Sequence, residues 1–554
     1  MNRSRAIVVV SLGLITLALT LLGDPRASFA SIWPSVAAVG LAFVTREIYS
    51  SLFLGALAGA WLLAEGNLVA AFIDLFARHM IPPLTSRWNV CALTFSLMMG
   101  GFIALLNKQG GMQALASRAL GSGDSKRRAG LGVFGMGWLV FFDGLANCML
   151  VGKTMRPVTD RAGLSRAKLA FIVDSTASPI AAFALISTWI AFELTLIQNG
   201  FAAFAESELG DAAQLGHLSS YKILVQTLPY RFYNYFLLLI VFLTIWLGRD
   251  IGPMREAEAA VGGESGVMQR SASDQGSEFA GRTIWLTLTP LGVLIVGVFG
   301  GLYVSGLFKL ESWPPGELER TIQAFGKADA DLVFVSATAF ASLVAMAMFL
   351  WQRRSGEREN PITLYLEGMK DMFLPVMILV FAFTLGSVIR ELRTAEWLTG
   401  ALAGSFPAGA LPAVVFLIAA VMSFSVGTSW GTMGILMPLC IPVACALTGL
   451  EGGGVPGPVV ISTIGAVLAG AVFGDHCSPI SDTTIVSAFA SGCDAIEHVR
   501  TQIPYALLAA GVSVLLGYGL TGLGLHPLAA LALGGGACWA VIRFGGRRGS
   551  RVIP

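Results

Sequence analysis

Apolar runs of roughly 17 to 25 residues recur about a dozen times along this chain, each long enough to cross the roughly 30 Å hydrocarbon core of a bilayer as a helix. Lipid offers backbone N–H and C=O groups no partners, so a crossing segment must pair them within itself. Runs of this length dictate an all-α polytopic membrane protein. Charged residues make up 13% of the 554 positions, against about 25% in a soluble domain. Net charge is +2, which excludes a basic field for nucleic acid. The lipid bilayer is the partner that this composition demands.

Twelve spans are expected, at roughly 6–23, 30–45, 48–64, 89–107, 167–197, 231–248, 283–303, 331–351, 372–390, 459–491, 504–525 and 527–544. Arg3 and Arg5 precede the first, which reads as an uncleaved helix although Ser28-Phe29-Ala30 has the look of a signal-peptidase site. Positive residues stay inside. That rule puts Lys108, Arg118, Lys126, Arg127 and Arg128 in the cytoplasm, with Arg353, Arg354, Arg358 and the tail Arg543, Arg547, Arg548 and Arg551. Glu206, Glu208, Asp211, Glu311, Glu317 and Glu319 fall outside. Both termini are then cytoplasmic, as in a multi-pass protein of a bacterial inner membrane.

Two further apolar segments, 130–158 and 409–448, behave differently. Lys153, Arg156, Arg161, Arg166 and Lys168 follow the first of them. A full crossing would carry them outside, against the rule, so this segment is expected to turn back near Asp143-Gly144 as a re-entrant hairpin. Lys153 and Arg156 then snorkel to the cytoplasmic interface.

The chain also repeats itself in order. NLVAAFIDLFARHM (67–80), FSLMMGGFIALLN (95–107), FDGLANCM (142–149) and SPIA (178–181) parallel NPITLYLEGMKDMF (360–373), LVFAFTLGSVIREL (379–392), VGTSWGTM (426–433) and SPIS (478–481). With the topology above, the two units are inverted, an arrangement of many secondary transporters. The organisation reads as an N-terminal helix (1–28), inverted repeat 1 (29–200), a linking helix and polar cytoplasmic linker (201–282), inverted repeat 2 (283–495), and two C-terminal helices with a basic tail (496–554). Those last helices brace the fold or form a homodimer contact.

Charge at membrane depth is costly and usually marks ions, protons or a water-filled cavity. GDHCSPISDTT (474–484) sets Asp475, His476 and Asp482 around the helix-breaking Pro479. Asp475 and Asp482 are suited to hold one cation or one proton between them. Cation binding then expels the proton and protonation expels the cation, which is the logic of antiport. His476 is a candidate proton relay, since histidine titrates near neutrality. In FSVGTSWGTMG (424–434), Gly427, Gly431 and Gly434 weaken a helix beside Thr428, Ser429 and Thr432. An interrupted helix bares carbonyls, and with hydroxyls these are hard oxygen ligands for a small alkali cation. In repeat 1, Asp143 sits at the hairpin tip with Gly144 and Asn147 nearby. Asp174, Ser175, Thr176, Ser178 and Pro179 form a first broken helix, and Glu193 follows in an apolar context.

Other patterns carry no chemistry. The seven cysteines form no CxxC or metal spacing and read as packing residues. LVGKTM (150–155) lacks a P-loop glycine. His79, His217, His498 and His526 are isolated and read as interfacial. No nucleophile triad, zinc spacing or ATPase machinery is present, so the energy source is an ion gradient or a partner chain.

GTSWGTMGILMP (427–438) and GDHCSPISDTT (474–484) resemble the signature of the NhaC-type Na+/H+ antiporter family, with looser similarity at FFDG (141–144) and DSTASPI (174–180). The resemblance implies exchange of cytoplasmic Na+ for external H+ and two inverted units whose hairpins and broken helices build the site. By motif it implies site roles for Thr428, Ser429, Thr432, Asp475, Ser478, Ser481, Asp482 and Thr483, and through the repeat for Asp174, Ser175 and Ser178. The expectation is an antiporter, not an enzyme, working by alternating access. It has no catalytic residue and no cofactor beyond transported Na+ and H+. The cation- and proton-binding set is Asp143, Asp174, Glu193, Asp475, His476 and Asp482. Substrate-lining groups are Asn147, Ser175, Ser178, Thr428, Ser429, Thr432, Ser478, Ser481 and Thr483, and the metal-ion ligands are Asp475, Asp482 and Thr428. The alternative, since the family includes malate/lactate-type exchangers and amino-acid permeases, is Na+- or H+-coupled carriage of a small organic acid or amino acid.

Overall fold

The computed structural model describes residues 3–45, 47–109, 125–207, 219–264, 284–310, 317–352, 359–402, 406–451, 455–479 and 481–547. Arg118, Glu208, Asp211, His217, Glu311, Arg353, Arg354, Arg358, Arg548 and Arg551, and most of the expected linker, lie outside the described residues. The described chain is almost wholly helical, with a single short antiparallel pair, Leu450–Glu451 against Val455–Pro456.

Ten of the described helices are long and apolar enough to cross a bilayer, or eleven if Ser220–Tyr230 and Phe232–Leu247, bent by 49°, form one span. The expected count of about twelve differs for identifiable reasons. Leu68–Thr85 qualifies as a span; Asp74, Arg78 and His79 disguise it in the sequence, and a π-helical turn at Leu75–Met80 interrupts its regular path. The first three expected spans contain only shorter apolar helices, Ser11–Thr20, Phe29–Ala42 and Tyr49–Leu63. The stretch 167–197 is three helices rather than one: Arg166–Ser175, Ser178–Ala181 and Thr188–Ala205. The stretch 459–491 is likewise divided into Pro458–Cys477 and Asp482–Ser491. Inside the expected linker, Gly252–Glu264 is helical, and its Glu258 accepts from the Ser165 N–H at 2.7 Å and from Lys126 Nζ at 3.0 Å.

Proline chemistry explains the second break. A residue before proline is driven away from helical ψ, and Ser478, which precedes Pro479, has ψ 133°. The first break falls slightly earlier, at Thr176 and Ala177, the latter with φ −87° and ψ −94°. The two candidate hairpins turn where glycine and polar residues predict. Lys126–Leu139 and Gly144–Arg161 meet at Asp143, and Leu411–Val426 and Ser429–Thr448 meet at Gly427, whose φ of +74° is the left-handed conformation glycine tolerates. Each helix of the second pair is long enough to cross a bilayer alone once the turn Ala408–Ala410 is included.

Small residues set how closely these pieces approach, as in other membrane bundles. A Cβ on Gly470 would lie 2.7 Å from Ala419 Cβ, and one on Gly474 would collide with the backbone of Ser423 and Phe424. Ser423 Oγ donates to Ala471 O at 2.6 Å across the same seam. Gly137 abuts Thr176, and Gly152 abuts Ala490 with a Cβ separation of 2.7 Å. The first hairpin therefore lies against the first break and against the helix that follows the second, where Cys148 Sγ is 3.6 Å from Thr483 O.

Candidate functional site

The two broken helices meet through Asp475. Its Oδ2 accepts from Ser178 Oγ at 2.5 Å and its Oδ1 from Ser481 Oγ at 2.8 Å. Ser178 opens the short helix after the first break, and Ser481 closes the second, so one fully enclosed carboxylate clamps both interruptions. The carbonyl of Asp475, freed by the break, accepts from Thr484 Oγ1 at 3.0 Å and Thr483 Oγ1 at 3.4 Å. Next door, His476 is held at both ring nitrogens: Nε2 lies 2.9 Å from Ser175 Oγ and Nδ1 2.9 Å from Tyr233 OH.

Asp174 forms a second centre. Its Oδ2 lies 3.1 Å from His498 Nε2 and accepts from Gln502 Nε2 at 3.0 Å. The same Gln502 amide donates to the carbonyl of His476. His498 is fully buried and also bonded to Ser487 Oγ at 3.0 Å, which corrects the expectation of an interfacial histidine. His79 is corrected too: it is buried, 3.2 Å from Ser387 Oγ and 3.8 Å from Glu391. His526 is an N-cap, accepting from Leu528 N at 3.3 Å.

Asp143 caps the helix Gly144–Arg161 by accepting from Ala146 N at 2.7 Å, and its other oxygen accepts from Thr188 Oγ1 at 3.1 Å. Asn147 fastens this hairpin to the first break: Nδ2 donates to Gly137 O at 2.8 Å, Val140 O at 3.1 Å and Thr176 O at 2.9 Å. Asp482 accepts from its neighbour Thr483 N at 2.8 Å. Its side chain is exposed. Asp482 is within electrostatic reach of Asp143, Asp174 and Asp475. Four acids are therefore gathered where the hairpin and both breaks converge.

No lysine or arginine pairs with any of these four among the described residues. The two fully buried basic side chains there are engaged elsewhere: Lys168 with Asp250 at 2.5 Å, and Arg231 with Glu193 at 2.8 Å. Nor do the described residues contain three or more His, Cys, Asp or Glu side chains grouped to hold a metal ion. Any cation here would be bound by one or two carboxylates supplemented by hydroxyls and freed carbonyls.

The Na+/H+ antiporter family model matches residues 180–523, more than half the chain and both motif regions of the second half. This chain belongs to the Na+/H+ antiporter family. It is accordingly a multi-pass membrane protein and a secondary transporter. An uncharacterized protein of Haemophilus influenzae is 29% identical over 520 residues, covering 92% of this chain and 94% of its own. The Malate-2H(+)/Na(+)-lactate antiporter of Bacillus subtilis is 37% identical over 100 residues, 18% of this chain and 19% of its own. Among solved structures, MtrF of Neisseria gonorrhoeae, titled as one of a class of antimetabolite efflux pumps, superposes with a TM-score of 0.52. The alignment is 13% identical and covers 91% of this chain and 94% of MtrF, a likeness of fold alone.

Within this antiporter the remaining expected site residues separate into two groups. Glu193 stands apart from the four acids and is held bidentately by Arg231, whose Nη1 lies 3.3 Å from Oε1 and also donates to Ala182 O. The buried Arg231 guanidinium neutralises Glu193, which sets this carboxylate apart from the four acids as an internal strut. Arg231 is inconspicuous in the sequence because it sits at the start of an apolar run with no acid nearby.

The hydroxyl motif of the antiporter's second half is present as a helix break, but no hydrogen bond joins Thr428, Ser429 or Thr432 to the carboxylates among the described residues. Thr432 Oγ1 donates instead to Thr428 O at 3.0 Å. Thr428 stands at the N-terminus of Ser429–Thr448 without capping it. Residues missed in the sequence are His498, Gln502, Ser487, Thr484 and Tyr233. The signal for two of them was available: His498, Gln502 and Tyr505, spaced i, i+4, i+7, share one buried face of the helix Ala495–Val512.

Proposed function

We propose that this antiporter exchanges Na+ for H+ across the cytoplasmic membrane of a bacterium by alternating access, with Asp475 and Asp482 as the competing site. The observation that carries the reading is a group of four acids, Asp174 and Asp475 fully buried among them, with no lysine or arginine paired to them among the described residues. An unpaired carboxylate in a protein interior is strongly disfavoured, so its counter-charge has to arrive as a proton or as a cation, one excluding the other. Asp475 has its two oxygens directed at hydroxyls. Those hydroxyls donate to the carboxylate in this arrangement and, after rotating, present lone pairs to a cation. Asp482, exposed and within electrostatic reach of Asp475, is where either ion arrives, and the helix breaks contribute the carbonyls of Asp475 and His476. Thr428, Ser429 and Thr432 complete the path from the opposite hairpin, in a cycle where the two halves act as inverted repeats.

The organic-acid or amino-acid alternative draws support from the malate/lactate relative. It needs a basic clamp for a carboxylate, and both fully buried basic side chains are already paired with acids. Purified protein in liposomes with an internal pH dye tests the assignment. Added Na+ should dissipate an imposed proton gradient, and Asp482→Asn should abolish the response while leaving the folded yield unchanged. A response that requires malate, lactate or an amino acid would replace this reading by the alternative.

A further inference from the structure

The helix Ala495–Val512 lies beyond both of the sequence repeats, yet it sends His498 and Gln502, one turn apart, onto Asp174. Three atoms of this trio, Asp174 Oδ1, His498 Nδ1 and Gln502 Oε1, are buried and without a hydrogen-bond partner. An imidazole nitrogen and a carboxylate oxygen left open on either side of the Nε2–Oδ2 contact are positions that a proton can occupy. The proton is the ligand that both an imidazole nitrogen and a carboxylate oxygen accept.

The position of His498 agrees with such traffic. Its neighbour Glu497 is exposed, and Asp494, one turn earlier, is the exposed N-cap of the same helix. His498 therefore stands between a solvent-facing helix end and the fully buried Asp174. The groups facing it are Asp174 from the first broken helix, Ser487 from the short arm of the second, and His476, which lies within electrostatic reach of both Asp174 and His498.

We infer that His498 is a proton relay that loads Asp174, a proton station beside the competing pair Asp475 and Asp482. A proton adds to the lone pair of Nδ1, giving an imidazolium. The Nε2–H bond then breaks as an O–H bond forms on Asp174 Oδ2, 3.1 Å away. His498 is left neutral with its hydrogen on Nδ1, and Asp174 is left neutral as a carboxylic acid. Gln502 joins the stations, since one amide nitrogen donates both to Asp174 and to the carbonyl of His476, the residue after Asp475. This inference rests on the Na+/H+ reading, and it assigns delivery of the proton to residues outside the competing pair.

The test separates proton delivery from Na+ movement. Liposomes holding the full-length protein are assayed for radioactive Na+ counterflow without a pH gradient, and for Na+-driven proton movement with a pH dye. For His498→Gln, counterflow should stay within about twofold of the unmodified protein while proton movement falls by more than about tenfold, within the range expected for losing a positioned acid–base group. Proton movement equal to the unmodified protein, or a parallel loss of both activities in well-folded protein, overturns the inference. If His498→Gln does not fold, His498→Asn carries the same expectation and the same two contrary outcomes. Absence of Na+ counterflow in the unmodified protein instead overturns the sodium reading, and this assignment with it.

Discussion

Ser178 Oγ donates to Asp475 Oδ2 at 2.5 Å, joining residues 297 positions apart and binding the break in the first half of the chain to the break in the second. A charge-assisted bond of this kind contributes about 1.5–3 kcal/mol. Ser178→Ala should therefore raise the half-saturating Na+ concentration by about tenfold or more, with little change in melting temperature because Ser481 still holds the other oxygen. Dye-monitored exchange across a Na+ series measures this, and an unchanged half-saturation would remove Ser178 from the site.

Glu193 and Arg231 form an interior ion pair away from the acids. Removing one partner leaves the other charge uncompensated, at about 3–5 kcal/mol. Glu193→Gln should lower the melting temperature in detergent substantially. The double substitution Glu193→Gln with Arg231→Met should recover part of the loss. If Glu193→Gln instead melts normally and blocks exchange, the strut assignment is wrong and the residue belongs with the cation ligands.

Gly474 precedes Asp475 and touches the backbone of Ser423 and Phe424. A methyl group there forces the two helices apart, and overpacking of this kind costs about 1–3 kcal/mol. Gly474→Ala should lose stability and also exchange, because Asp475 moves with its helix. Gly536→Ala, on a helix surface with open space around it, serves as the control and should change neither. Thermal unfolding and the dye assay read the two effects.

At one end of the span Ala330–Trp351, Asp329 lies 2.6 Å from Lys309 Nζ and 3.3 Å from Arg87 Nη2. The hydrogen bond from Lys309, then the charges of Lys309 and Arg87, hold its carboxyl below the ordinary aspartate value. A carboxyl lowered in the folded state stabilises above its unfolded value and loses that contribution as pH falls through its folded value. The melting temperature of Asp329→Asn should thus sit below that of the unmodified protein at neutral pH, by a small margin for so open a pair. The gap should close at pH values below about 3.9. A gap that persists at low pH would mean that the carboxylate charge is not its source.

Much of the site can be read in the sequence because its chemistry is local. Pro479 and its preceding serine break one helix, Gly427 breaks another, and the acids beside them are conspicuous against apolar neighbours. What escapes is pairing over distance. Arg231 and Glu193 are 38 positions apart and each looks unaccompanied. His498 looks like an interfacial histidine until Asp174, 324 positions away, is seen against it. Leu68–Thr85 is missed for the opposite reason, since charged residues on one side hide a helix long enough to cross. The expected link from Thr428 to the carboxylates had no local constraint to fix it, because a backbone break states where a hydroxyl is available but not where it points.

The seam of Gly470 and Gly474 against Ala419 and Ser423 also limits how this antiporter moves. Backbones in such close contact, fastened by Ser423 to Ala471, leave no clearance for one helix to slide past the other. Under the proposed alternating-access cycle, Leu411–Val426 and Pro458–Cys477 would therefore tilt together and carry Asp475 with them, so that the hydroxyl contacts from Ser178 and Ser481 would be the ones to give.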